Sequence, residues 1–117
     1  MSKQYREGDV LNLTNTSDIP TRNDLPATVA GFVGYWQNNG VKPGKRGAFV
    51  VRYTVRDTVT GPAGGLAEGD TIHIDGRTMY GQLGVAAGSA GAKPFAKVLH
   101  KVAAGEVREI EMRLLNG

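Results

Sequence analysis

The chain contains no cysteine. Disulfide frameworks, thiolate zinc sites and thiol nucleophiles are therefore all excluded. The chain also lacks the run of roughly 18 apolar residues that a membrane-spanning helix needs, and its N-terminus "MSKQYREGDV" lacks the apolar core of a secretory signal. We therefore expect a protein that is made in the cytoplasm, has no membrane partner and is stabilised by packing or by partner proteins.

Aromatic residues are also scarce, at 7%, and the formal net charge is only +3. The 117 residues lie within the usual size of one domain and can bury a single modest core. Glycine, by contrast, is abundant: its 17 residues are about twice the ordinary share, so much of the chain must lie in turns. A mildly basic chain of this kind suits docking on an acidic surface but does not require a nucleic-acid partner.

Apolar residues recur with a period of two between clusters of turn residues. This pattern predicts strands at Val10–Thr14, at 27–36 and at 48–59, and a further strand in "GDTIHIDG" with "TMYGQL" as its candidate partner. The strand at 48–59 is roughly twice the mean length, so we expect it to bend, to cross between layers or to project as a hairpin arm. The stretch "GVAAGSAGAKP" is predicted to be a surface loop or an internal linker.

The C-terminal stretch "KVLHKVAAGEVREIEMRLL" fits either a helix or a β-hairpin around "AAGE". A helix would contain Gly105 in its interior, at a cost of about 1 kcal/mol relative to alanine. When Gly44 is aligned with Gly105, an offset of 61, this stretch matches "NGVKPGKRGAFVV". That segment cannot be helical across its Asn-Gly and Pro-Gly pairs. The hairpin is therefore the predicted structure.

These patterns together predict an all-β fold. We expect a small sandwich or barrel of hairpins, with an extended N-terminal arm at residues 1–9, a single β domain at residues 10–117 and one long bent or projecting hairpin.

Four segments of the sequence resemble the small capsid decoration, or cement, proteins of tailed bacteriophages. They are "YREGDVLNLT", "PATVAGFVGYWQNNGVKPGKRGAFVVRYTVR", "GDTIHID" and "PFAKVLHKVAAGEVREIEMRLL". The resemblance covers most of the chain, from Tyr5 to Leu115. Some members of that family carry a RecA/RadA-type recombinase label. Here the longer strand at 48–59 and the insertion "GSAGAKP" depart from the commoner family pattern.

The resemblance implies a structural virion protein that binds the outer surface of the phage head as a homotrimer at three-fold positions and stabilises the expanded shell. Its partners would be the major capsid protein and its own copies. The extended N-terminal arm would grip the shell through Lys3, Gln4, Tyr5 and Arg6. We also expect subunit or shell contacts at Trp36, Arg52 and Arg56.

No enzyme activity, cofactor or metal is predicted. The stretch "GVKPGKR" is one residue short of a phosphate-binding loop and has Arg46 where that loop needs a hydroxyl. His73 and Asp75 lie two apart on a predicted strand and would share one face, but no third metal ligand is visible. The glutamates at 106, 109 and 111 are predicted to form solvated cross-strand pairs with arginines.

The main alternative is a small β-barrel that binds nucleic acid. Aromatic and basic residues are interleaved between 32 and 56, as in a surface on which single-stranded bases stack. The alternation at 48–59 instead places Phe49 and Tyr53 on the apolar side, opposite Arg52 and Arg56. We therefore favour core packing for these aromatic side chains, and nucleic acid is not an expected partner.

Overall fold

A computed structural model of the chain describes residues 10–116. Within that range the chain forms strands, turns and no helix, so the predicted all-β fold is confirmed. No part of this range could cross a membrane as an apolar helix. The predicted N-terminal arm, with Lys3, Gln4, Tyr5 and Arg6, lies outside the described residues. The strands are β1 (Val10–Thr14), β2 (Ala27–Val29), β3 (Phe32–Trp36), β4 (Arg46–Val50), β5 (Thr54–Thr60), β6 (Thr71–Asp75), β7 (Leu83–Val85), β8 (Ala92–Val98) and β9 (Val107–Leu114).

The strands form two antiparallel sheets. The first has four strands in the order β1-β4-β3-β2, and the second has five in the order β5-β9-β8-β6-β7. The second sheet curls into a half-barrel, because β7 returns towards β5. Gly84 in β7 allows this approach, since a side chain there would collide with the Thr60 carbonyl oxygen.

The segment 48–59 passes from one sheet to the other. Crossing between layers was one of the three alternatives predicted for it. It is divided into β4, which ends at Val50, and β5, which begins at Thr54. Tyr53 lies between them with a φ of 90°, a left-handed conformation that non-glycine residues seldom adopt. The prediction that Tyr53 faces the apolar side is wrong: its side chain is 53% exposed, because the alternation is interrupted where the chain changes sheets.

The predicted single strand at 27–36 is a hairpin. Val29 of β2 pairs with Phe32 of β3, and the two residues between them, Ala30 and Gly31, have φ angles of 52° and 83°. Two positive φ angles in a two-residue loop are the signature of a type I′ turn. The sequence pattern missed this turn because the apolar alternation continues through the Ala-Gly pair.

The interior contains two apolar clusters, one on each face of the four-stranded sheet. Val33 and Tyr35 of β3 face the five-stranded sheet, where the Tyr35 ring meets Phe95 edge to face at 5.8 Å. Trp36 and Phe49 pack together in the second cluster, with ring centroids 5.2 Å apart. Burial on both faces of β3, as the sequence suggested, explains why that strand carries few polar residues.

The predicted C-terminal antiparallel pairing is confirmed, with Val98 of β8 opposite Met112 of β9. The expected strand does not extend to Val102, which instead bridges to Leu66 in the loop after β5. Gly105 has a φ of 75° in a turn closed by the Glu106 N–H and the Ala103 carbonyl at 3.0 Å. The turn closed by Lys45 and Lys42 has Gly44 in the same place, with a φ of 79°. The predicted equivalence of the two glycines therefore holds for the local geometry.

The stretch "GVAAGSAGAKP" is only partly a loop. Its first two residues belong to β7 and its last three to β8, which is the main partner of β6. From "TMYGQL", Leu83 lies opposite Ile74 of β6, and the Gln82 carbonyl accepts from the Asp75 N–H at 3.0 Å. Ile72 and Ile74 point inward as predicted, with 1% and 0% exposure. The prediction of a surface loop or internal linker was therefore wrong at the two ends of this stretch, which are paired strand residues.

Candidate functional site

A groove of about 430 Å³ lies where the chain crosses from the first sheet to the second. The loop before β2 forms one side of it, β3 and β4 form its floor, and β5 forms the other side. Its lining combines apolar side chains with two carboxylates and one guanidinium. The lining residues are Asn23, Asp24, Tyr35, Val50, Val55, Arg56 and Asp57.

A tyrosine and a carboxylate pair across the two sheets in this groove. The Tyr35 hydroxyl donates to Asp57 Oδ2 at 2.7 Å, and the Thr58 N–H donates to Asp57 Oδ1 at 2.8 Å. Burial raises the pKa of Tyr35 above its ordinary value of 10.0, and the hydrogen bond to Asp57 raises it further. Both Asp57 oxygens are therefore occupied, and the phenol keeps its proton at neutral pH.

Arg56 connects the rim of the groove to the outer face of the five-stranded sheet. Its guanidinium lies 3.1 Å from Glu111 Oε1 and 3.9 Å from Glu109 Oε1, both on the neighbouring strand β9. The side chains of Arg56 and Glu109 are 60% and 58% exposed, so each pair is worth less than about 1 kcal/mol. The predicted cross-strand pairing with arginine is confirmed for Glu109 and Glu111, whose partner is Arg56. It is wrong for Glu106, whose Oε1 accepts from the Ala103 N–H at 2.9 Å.

The three residues predicted to contact a subunit or the shell lie in different environments. Arg52 and Arg56 are exposed, at the crossing and on β5, and Arg52 has no ion pair within residues 10–116. Trp36 is 1% exposed and packs on Phe49. Its ring offers no surface to a partner, because the side chain points into the second cluster. The surface-contact prediction therefore rests on Arg52 and Arg56.

The aromatic side chains do not form a continuous platform for stacking bases. Trp36 and Phe49 are buried, and the Tyr35 hydroxyl is bonded to Asp57. Of the five aromatic residues between 32 and 53, only Phe32 and Tyr53 are exposed, at 37% and 53%. Two exposed rings on separate segments give bases little to stack on.

His73 and Asp75, the two residues considered as metal ligands, contact other protein groups in the structure. Asp75 binds Arg77 through both oxygens, at 3.0 and 2.7 Å, and this pairing lowers the pKa of Asp75 to about 2. His73 lies opposite Pro94 and Val85 in the sheet. No group of three potential metal ligands occurs in the part of the chain that the structure describes.

Sequence reasoning treated Tyr35 as one of several aromatic residues and did not select Asp57. The signal for Asp57 is present in β5, where it lies between Val55 and Val59 on the face that the alternation predicts to be apolar. A carboxylate on such a face requires a hydrogen-bond donor from another element. The residue that supplies that donor could be found only from the three-dimensional structure.

Comparison with known proteins identifies no relative of the chain. No family model, no curated protein and no solved structure matches the chain. The functional proposal therefore rests on the described contacts and on the sequence resemblance.

Proposed function

We propose that the chain is a capsid decoration protein, which binds the outer surface of a phage head as trimers at three-fold positions and stabilises the expanded shell. One observation carries this proposal. The strand that directly follows the N-terminal segment, β1, is an edge strand whose outer side pairs with no other strand among residues 10–116. A sheet edge of this kind is well placed to contact a neighbouring protein.

Edge strands support binding without a pocket. An unpaired strand edge presents N–H and C=O groups to which a strand from another chain can add. On this edge the Arg46 side chain already donates to the Asn12 carbonyl, so one acceptor is occupied. The exposed Val10, at 43%, supplies an apolar contact at the start of the same strand.

The chemistry of the groove also supports binding rather than catalysis. Acid–base catalysis needs a group whose pKa lies near the operating pH. The Tyr35 hydroxyl has its pKa raised away from neutrality, and Asp57 accepts two hydrogen bonds. The Tyr35 hydroxyl is therefore not poised to give up its proton at neutral pH.

Multivalency explains how a small body could hold a shell together. Three copies that act together turn individually weak contacts into strong attachment, because the second and third contacts form intramolecularly. The exposed Arg52 on each copy, which has no ion pair within residues 10–116, adds charge attraction to an acidic surface. The basic net charge of the chain agrees in sign with such a partner.

Binding to purified heads tests the proposal. Expanded heads that lack the protein are mixed with increasing amounts of it and sedimented, and the bound copies per head are counted. We expect saturation at a fixed number that matches three copies per three-fold position. Deletion of residues 2–7 should abolish binding to the heads. A variant in which the same residues are present in scrambled order is the control, because it shows how much of the binding depends on their sequence and how much on their length. Binding that never saturates, or no binding, would contradict the proposal.

A further inference from the structure

Two cations lie directly opposite each other on the outer face of the five-stranded sheet. Lys97 of β8 is the register partner of Arg113 of β9, and both side chains are exposed. Opposed residues in an antiparallel pair have Cβ atoms about 5 Å apart, and like charges there repel. Neither residue forms an ion pair with any residue in the range 10–116. The described part of the chain therefore carries an electrostatic cost that none of its own ion pairs offsets.

The nearest carboxylates on this face are already engaged. Glu111 lies two residues before Arg113 on β9, but its Oε1 is held by Arg56 at 3.1 Å. Glu109, further along, also lies towards Arg56, at 3.9 Å. The two acidic side chains are thus directed to the β5 side of the sheet, away from Lys97.

Hydroxyl groups lie at both ends of the cation pair. Thr54 of β5 is the register partner of Arg113, and Thr71 of β6 is the partner of Lys97. Thr54, Arg113, Lys97 and Thr71 therefore form a line across four strands, about 14 Å long at the usual strand spacing. We call this line the cationic row. It presents hydrogen-bond donors throughout, and no carboxylate among residues 10–116 forms an ion pair with its two cations.

We propose that the cationic row is a docking site for carboxylates on a partner protein. This inference rests on the proposed function, under which the partner is the shell protein. Natural proteins tolerate locally unfavourable residue pairs mainly at functional sites. Lys97 opposite Arg113 is such a pair, because like charges directly opposite each other are destabilising. A partner carboxylate placed between the two cations would turn their repulsion into attraction for both.

A protein fits this face better than a nucleic acid does. Glu109 and Glu111 are 58% and 41% exposed beside the row, and they would repel a phosphodiester chain. A protein surface can place its own cations opposite these glutamates and its carboxylates opposite the row. Charge complementarity of this kind acts mainly on the association rate and on the choice of partner.

The test separates stability from binding with one substitution. Lys97→Glu replaces the like-charged contact by an ion pair with Arg113 and lowers the net charge of the row from +2 to zero. We expect its thermal midpoint to be equal to or above that of the wild type, while its association with heads slows about ten-fold or more at low salt. Lys101→Glu, at an exposed position in the connection between β8 and β9, makes the same charge change outside the row and should bind as the wild type does.

Each other outcome has a distinct meaning. If the wild-type protein does not bind heads, the proposed function is wrong, and the shell protein is not the partner. Heads that bind the wild type and Lys97→Glu equally well overturn the docking role of the row alone. If Lys97→Glu sediments differently from the wild type in the absence of heads, the row is a contact between copies of this chain. If the wild type binds oligonucleotides in a salt-sensitive way and Lys97→Glu does not, the row is a phosphate site. Either result overturns the proposal as stated.

Discussion

The side chain of Asn15 organises the loop that follows β1. It is fully buried, and its amide group donates to the carbonyls of Ile19 and Val41, each at 2.8 Å. Its oxygen accepts from the backbone N–H and the hydroxyl of Ser17, at 3.0 and 2.7 Å. A buried amide with all of these bonds made fixes the loop against the turn at Lys42–Lys45.

Substitution of Asn15 tests this role. Asn15→Ala removes four hydrogen bonds, each worth about 1 kcal/mol net, although Ile19 and Val41 keep a second donor. We expect the free energy of unfolding to fall by about 2–3 kcal/mol in urea denaturation. Asn12→Ala is the matched control, because it makes the same change at an exposed position of β1 and should cost less than about 0.5 kcal/mol. Equal losses in the two variants would contradict the assignment.

The Tyr35–Asp57 pair predicts a stability that depends on alkaline pH. The pKa of Tyr35 is raised in the folded state, so the unfolded chain ionises first as pH rises past about 10. The folded state therefore loses stability above pH 10, by up to about 1.4 kcal/mol per pH unit for this group. Tyr35→Phe should be less stable at pH 7 because it lacks the bond to Asp57, and its stability should decline less steeply between pH 10 and 11. Parallel declines in urea titrations would contradict this prediction.

At the scale of elements, the sequence predicted strands well and connections poorly. Apolar residues located β1, β4, β5, β6 and β9, and in β5 and β6 the more and less exposed residues alternate along the strand. Alternation missed the β2–β3 turn, since Ala30 is not a usual residue for φ of 52° and the apolar alternation in the sequence runs on from Val29 to Val33, although the turn places these two side chains in different clusters. The crossing at Tyr53 was expected from strand length alone, but the left-handed residue that makes it has no sequence signature.

The β2–β3 turn can be improved by one substitution. Ala30→Asn creates the Asn-Gly pair that type I′ turns favour, because asparagine tolerates positive φ better than alanine does. We expect thermal unfolding to show a stabilisation of about 0.5–1 kcal/mol. Gly31→Ala, which places a side chain at φ of 83°, should destabilise the protein by about 1–2 kcal/mol. Destabilisation by Ala30→Asn would contradict the assigned turn.

At the scale of the whole molecule, the distribution of strands between sheets could not be read from the sequence. The pairing of β5 with β9 joins residues more than forty positions apart, as Thr54 with Arg113 illustrates. Charge alternation predicted that Glu109 and Glu111 would pair across strands, but only this topology selects Arg56 as their partner. The groove and the cationic row are likewise products of long-range pairing, which local pattern does not encode.

The decoration proposal implies that a phage encodes this chain, and its most direct test is electron microscopy of the mature head of that phage. The proposal predicts density for the two-sheet body on the outer surface, as three copies around each three-fold position. Residues 2–7 and the cationic row should lie against the shell protein. A head whose outer surface carries no such density, or density inside the shell, would contradict the proposal.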